Sequence, residues 1–184
     1  MTMASKLKGK EWYQIVAPSF FGDFVIGETI IMNPEKLKGR VIETSLMDIM
    51  GDPTKYYFKF LFKIDGLDAK KAITKFVGHT TTRDYLARIV RKRTSRIDTN
   101  DVIKLKDNTF RVKTIAISNR RVSHPLKIDI RKNIREIINK EVSDMKTEEF
   151  VRAMIDGKIQ TKVKRSLSKT YPLRFFEIRK TELM

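Results

Sequence analysis

Between Lys55 and Ile64 the residues alternate so regularly that an extended strand is the only element that accommodates them. Tyr56, Phe58, Phe60, Phe62 and Ile64 fall on one side, and Lys55, Tyr57, Lys59, Leu61 and Lys63 fall mostly cationic on the other. One face must meet a core and the other water. A strand of this kind needs bonded neighbours, and the flanking chain offers them. Phe24 to Met32, interrupted by Gly27, and Arg40 to Leu46 read as strands on one side, with Asn33-Pro34 as the turn between them. On the other side Asp65-Gly66 reads as a turn into a partner strand from Lys71 to Gly78.

The same reading extends to both ends. An aromatic entry strand opens near Trp12 and Tyr13 and stops at Ala17-Pro18, with Phe20 and Phe21 beyond. Met47 to Met50 suits a short helical turn. Asp98 to Lys106 and Thr109 to Ser118 form two further β segments around Asp107-Asn108. After residue 120 the period changes from two to about 3.6. Ser123 with Pro125 opens a helix carrying Ile130, Ile134, Ile137, Ile138 and Val142, and Thr147 caps a second with Phe150, Val151 and Met154, stopped by Gly157. Ile159, Val163 and Leu167 mark a third, and Leu173 to Arg179 returns as a strand. The expected fold is α+β: an antiparallel β-barrel or strongly curved sheet with one helix between strands and a C-terminal helical segment. The expected organisation is a flexible basic arm at 1–11 and a single domain at 12–184. Within that domain 12–120 is mainly barrel, 121–172 helical, and 173–184 a final strand and tail.

That inserted helix is Thr82 to Arg96. Tyr85, Leu86, Ile89 and Val90 recur at helical spacing, Arg88, Arg91 and Lys92 lie mainly opposite, and Thr81 or Thr82 is placed to cap it. By itself a cationic helix face is usually a solvated one. The whole chain argues otherwise, because its formal net charge is +17 with 33% charged residues, spread over nearly every segment. Such a surface repels itself when free and releases counterions when it meets phosphates, so nucleic acid is the first partner to consider. Charge on several sides suits folded RNA better than a single groove tracking one strand. Arginine forks and mobile lysines then act mainly to position the backbone.

Other chemistries find little support. No run of about 18 apolar residues, signal-peptide core or lipidation motif occurs, so a membrane is not an expected partner. There is no cysteine, hence no disulfide, thiolate metal site or cysteine nucleophile. His79 and His124 are too far apart for a short-spaced metal motif, and each is a candidate for a phosphate contact or for an ordinary structural hydrogen bond. Phosphate-binding glycine loops and the nucleophile elbow are missing, and Glu148-Glu149 suits a helix N-terminus better than acid/base work. The reading is therefore no enzyme, no catalytic or metal-binding residue and no cofactor.

Lys10-Glu11-Trp12-Tyr13, Ala17-Pro18, Ile26-Gly27, Leu37-Lys38-Gly39-Arg40-Val41 with Glu43 and Ser45-Leu46, Thr82-Arg83-Asp84 and Tyr171-Pro172-Leu173 together resemble the S-three-A-e family of small-subunit ribosomal proteins, also called the eukaryotic-type S-one family. The resemblance runs through most of the chain. It implies a β-barrel with accompanying helices, bound to rRNA on the platform of the small subunit near the mRNA exit side. A chain that stops soon after Tyr171-Pro172-Leu173, without most of the lysine-rich tail of the longer eukaryotic members, looks archaeal. The expected role is a cytoplasmic, non-catalytic ribosomal component. Its partners would be small-subunit rRNA and neighbouring ribosomal proteins, with mRNA near the exit side as a candidate, and it would not be a stand-alone oligomer. The residues expected to meet RNA are Lys6, Lys8 and Lys10 in the arm; Lys38 and Arg40; Arg83, Arg88, Arg91, Lys92, Arg93 and Arg96; Arg120 and Arg121; and Lys162, Lys164 and Arg165. The alternative is a free-standing barrel that binds single-stranded RNA, as a chaperone or translation factor, stacking bases on Trp12, Tyr13 or Tyr57.

Overall fold

The structure, a computed structural model, describes residues 9–168 and 171–184. The chain divides into two compact units, Met1–Gly78 and His79–Met184.

In the first unit, β1 (Glu11–Val16) pairs antiparallel with β2 (Val25–Ile31), and its end runs parallel to the start of β5 (Lys71–Thr81). The strand β3 (Val41–Ser45) lies antiparallel on β4 (Phe58–Asp68), with Val41 opposite Lys63 and Ser45 opposite Lys59. Alternation in β4 does what its sequence requires: Phe58, Phe60, Phe62 and Ile64 are buried. Phe21 and Phe76 close on this row, with ring centroids 5.5 Å (Phe21) and 5.6 Å (Phe76) from Phe60 in tilted and edge-on arrangements. Tyr13, Ile15, Ile31, Leu37, Ile64 and Ala72 form the adjoining core. Two sequence expectations shift here. Tyr56 precedes the strand and is exposed, because Pro53–Lys55 forms a single 3-10 turn and Tyr56 keeps helical dihedrals. Asp65-Gly66 is strand rather than turn. Asp65 pairs with Lys75 at 2.7 Å and Leu67 packs on the core, so the ladder continues and Ala69, at φ 49°, makes the reversal.

Between β3 and β4, α1 (Leu46–Met50) starts where Ser45 Oγ accepts the Met47 amide and ends at left-handed Gly51. It is the short helical turn expected at Met47 to Met50, begun one residue earlier.

The second unit takes the end of β5, α2 (Arg83–Ile89), β6 (Arg96–Lys104), β7 (Thr109–Ser118), three helices and β8 (Leu173–Leu183). The strands β6, β7 and β8 form an antiparallel ladder, with Leu105 N donating to Asn108 O across the expected hairpin turn. The helices are α3 (His124–Val142), α4 (Thr147–Ile155) and α5 (Lys158–Ser168). Their stripes are buried as their spacing requires: Ile130, Ile134, Ile138 and Val142; Phe150, Val151 and Met154; Ile159, Val163 and Leu167. The helix α3 packs on β6, where Arg135 Nε reaches the buried Asp101 carboxylate and Arg131 Nε donates to the Asp98 carbonyl, and α5 packs on β8 and α3. Ser123 and Thr82 stand at helix N-caps, but neither side chain makes a capping bond.

The hydrogen-bonded order is β2-β1-β5-β8-β7-β6, with β4 on β5 and β3 on β4. This path has free ends at β2, β3 and β6 among the described residues. A barrel needs every strand bonded on both edges. The sheet is thus open, and of the two forms expected it fits the curved sheet and not the closed barrel.

His79, near the end of β5, is fully buried. Its Nδ1 lies 2.8 Å from Thr181 Oγ1 and its Nε2 lies 3.0 Å from the Ile178 carbonyl. Those partners fit a neutral ring whose Nε2–H donates to the carbonyl, so His79 joins strands and is not a phosphate ligand. Burial pushes its pKa down to about 4 from an ordinary value of 6.5. The neutral form is favoured on folding, so its stabilisation is complete above pH 6.5 and is lost as pH falls toward 4. The total is about 3 kcal/mol, from 1.36 kcal/mol per pKa unit. Glu182, held down to about 2 by Lys180 and Lys113, loses its own contribution only at lower pH. Urea unfolding should therefore weaken first between about pH 6.5 and 4. Burial raises the pKa of Glu177, which gains stability on protonation in the same range. The histidine is therefore read in a Glu177→Gln background, where an unchanged midpoint over that window would contradict the buried, neutral ring.

Candidate nucleic-acid interface

The helix α2 is shorter than its sequence pattern. Tyr85, Leu86 and Ile89 pack with Ile115, Ile117 and Phe175, as the spacing requires. The helix ends at Ile89, however, and Val90 is extended and exposed. Thr94 causes the departure by turning the chain: its hydroxyl donates to the Arg91 carbonyl at 2.6 Å, and Arg93 takes a left-handed φ of 65°. Arg91, Lys92 and Arg93 therefore project from a loop, while Arg96 begins β6.

A pair of buried serines fixes that loop. Ser118 Oγ accepts the Ser95 amide at 2.9 Å and stands close to the carbonyls of Ser95 and Arg120, while Ser95 Oγ accepts the Val122 amide at 3.0 Å. The segments 91–96 and 119–122 are thereby tied together. The sequence had separated Arg91, Lys92, Arg93 and Arg96 from Arg120 and Arg121 by more than 20 positions, and the fold sets them on adjoining loops.

Beside these loops lies an open cleft of about 480 Å³, lined by Arg83, Leu86, Ala87, Val90, Arg96 and Arg179. Three guanidinium groups thus share one concavity floored by apolar side chains. Arg96 also pairs with Asp98 at 2.9 Å, whereas Arg83 and Arg179 make no ion pair among the described residues. Arg88 is not in the lining; its Nε donates back to the Asp84 carbonyl.

Arg179 is not among the residues the sequence marked for RNA contact. Its placement comes from a β-bulge: Lys113 pairs with Lys180 and Thr114 with Ile178, which leaves Arg179 as the extra residue of β8. A bulge redirects the side chain it frees. The sequence does carry a trace of it, since Phe176 and Ile178 are spaced for one face and the next buried residue, Thr181, comes one position out of phase.

The remaining expected residues fall elsewhere. In the first unit, Leu37 is fully buried and Gly39, at φ 89°, donates to the Ile64 carbonyl, so Lys38 and Arg40 project to solvent from either side of a tight turn. Arg40 Nε also bonds the Lys36 carbonyl at 3.0 Å. On α5, Lys162 pairs with Glu141 at 2.6 Å and shares a flank with Arg165 around an apolar cavity, while Lys164 points from the other flank. Lys10 is exposed ahead of β1, and Lys6 and Lys8 lie outside the described residues. Of the candidate stacking residues, Trp12 is exposed, Tyr57 partly so, and Tyr13 belongs to the core. Among the described residues no group of three His, Asp or Glu side chains could hold a metal ion.

Comparison with known proteins identifies the family. The model of the Ribosomal S3Ae family matches residues 2–184. The chain belongs to the Ribosomal S3Ae family. Archaeal relatives carry the name small ribosomal subunit protein eS1. That of Desulfurococcus amylolyticus is 40% identical over 180 residues, covering 97% of this chain and 84% of its own. Those of Sulfurisphaera tokodaii and Methanocaldococcus jannaschii are 35% and 38% identical, covering 93% and 81% of their own lengths. The S3Ae family is one of ribosomal proteins and not of enzymes, as the sequence had suggested. The S-three-A-e resemblance read from short motifs thus holds over the whole chain.

Proposed function

We propose that this S3Ae protein is a structural constituent of the small ribosomal subunit and that the arginine surface of its second unit binds and orients rRNA. The observation that carries this reading is the convergence of Arg83, Arg96 and Arg179 on one cleft beside the serine-tied loops that hold Arg91 to Arg93, Arg120 and Arg121. Phosphates are the ligands that such forks and unpaired cations fit. The names of the relatives support the assembly, and its cytoplasmic location follows from it. Placement on the platform near the mRNA exit side, with neighbouring proteins and mRNA within reach, is the finer part of the proposal and rests on the family resemblance. Lys38, Arg40 and the α5 cations Lys162, Lys164 and Arg165 give further contacts, because an rRNA fold approaches from several sides.

Replacing Arg88, Arg91 and Lys92 together by glutamate is expected to prevent incorporation into small subunits, read by co-sedimentation, while the circular dichroism of the free protein stays unchanged. All three are exposed, so the fold does not need them. Normal incorporation would overturn the reading. The exposed Trp12 favours the single-strand alternative on one point, and a salt wash separates the two: a stacking factor leaves the subunit at moderate salt and binds short oligonucleotides unaided.

A further inference from the structure

The β1–β2 hairpin departs from the rest of the chain in charge. From Glu11 to Glu35 there is no lysine or arginine, and Glu11, Asp23, Glu28 and Glu35 are the only charged residues, in a protein of net charge +17. The same stretch carries exposed apolar side chains: Trp12 at 55%, Phe24 at 43%, Val25 at 41% and Met32 at 60% exposure. Strand register places Trp12 beside Ile30 and Val16 beside Val25, so these side chains line one solvent face, with Gln14 and Glu28 bonded between them at 3.3 Å. On the far side of β1, Lys71 and Ile73 of β5 stand opposite Gln14 and Val16; β2 is farther out and is the end strand of the sheet.

An end strand exposes a row of unpaired amides and carbonyls, and folded proteins usually blunt such edges with lysine, proline or very short length. Over seven residues, Val-Ile-Gly-Glu-Thr-Ile-Ile, β2 has neither residue. A bulge at Ile26, another such device, interrupts its pairing with β1, but Gly27 to Ile31 stay in regular register and form the open edge among the described residues. We infer that the open edge of β2, with the exposed face of the hairpin, is a docking surface for an extended, cationic segment of another protein, added as a further strand. Backbone bonds to β2 supply the pairing, Trp12, Val25 and Ile30 receive alternate apolar side chains, and the local carboxylates select lysine or arginine between them. The charge excludes the other occupants: RNA would bring phosphates to carboxylates, and a second copy of this chain would set Glu28 near its twin. The inference uses a surface separate from the arginine cleft and does not depend on the rRNA reading.

The full chain tests it directly, because the single tryptophan lies on the proposed surface. The probes are two synthetic peptides of equal length, one alternating valine and isoleucine with lysine and the other with glutamate, and a single-stranded oligoribonucleotide. Expected are a Trp12 emission shift and slowed amide exchange across β2 with the lysine peptide only. That binding should weaken by about tenfold or more in the Val25→Lys, Glu28→Lys double variant, whose sites are both exposed, and be unaffected by glutamate at Arg88, Arg91 and Lys92. The inference is overturned if the lysine peptide leaves β2 unprotected, if the glutamate peptide or the oligonucleotide protects it equally, if the double variant binds undiminished while remaining folded, or if sedimentation shows β2 already covered in a dimer.

Discussion

Exchanging Arg83 and Arg179 for glutamate is expected to weaken binding to small-subunit rRNA by about tenfold to a hundredfold near physiological salt, and to flatten its salt dependence. Each phosphate contact removed lowers the slope of log affinity against log salt by roughly 1, so two lost contacts lower it by roughly 2. The pair is chosen because both guanidinium groups line the cleft and neither is committed to an ion pair among the described residues, unlike Arg96. Reversal of the exposed Lys106 and Lys140 makes the same change in net charge away from the cleft. Filter binding at several salt concentrations would show whether the cleft variant loses more. Equal losses would reduce the cleft to a share of a diffuse field, and an unchanged slope in the cleft variant would remove it from the interface.

The second large effect concerns stability. Phe60→Ala should destabilise the protein by about 3–5 kcal/mol, because it deletes a ring with no solvent exposure and leaves a cavity among Phe21, Phe62 and Phe76. Since a domain of this size is stable by roughly 5–15 kcal/mol, the variant would stand near the limit of folding at growth temperature. Trp12→Ala, at an exposed position of a nearby strand, should change stability by no more than about 0.5 kcal/mol. Denaturant unfolding followed by far-ultraviolet circular dichroism distinguishes the two. A loss of less than about 1 kcal/mol for Phe60→Ala would mean that the aromatic row is not the centre of the first unit.

Much of this architecture was legible wherever one physical signal dominated. The two-residue period of β4 and the stripes of α3, α4 and α5 named most of their buried residues, with Tyr56 exposed and Ile137 only half-buried, because burial of a strand face or helix stripe leaves the pattern little freedom. Errors arose where a contact distant in sequence decided a local outcome. Asp65-Gly66 carries a turn signature, yet the Lys75 ammonium and the core contact of Leu67 keep it in the ladder. Periodicity continued α2 through Val90, where the Thr94 hydroxyl turns the chain instead. The open sheet could not be told from a barrel, since strand count and spacing are the same for both and only the pairing partners differ. Charge density motivates the proposed nucleic-acid partner, but the arginine cleft needed a bulge in β8 and the Ser95–Ser118 tie to assemble it. Neither leaves more in the sequence than one phase slip and two serines.

The strand β5 carries a kinetic consequence. Its first residues pair with β1, which is made earlier, but His79 and Thr81 bond to Ile178 and Thr181, which follow by 97 to 102 residues. At a synthesis rate of 5–20 residues per second, that interval lasts roughly 5–20 s. Throughout it a nascent chain holds the end of β5 before its β8 partners, Ile178 and Thr181, exist. Replacing Thr181 by valine would remove the partner of Nδ1 and keep the Ile178 carbonyl that Nε2 faces. β8 thus supplies the last partners of β5 in the second unit, and closure of that seam waits for Ile178 and Thr181.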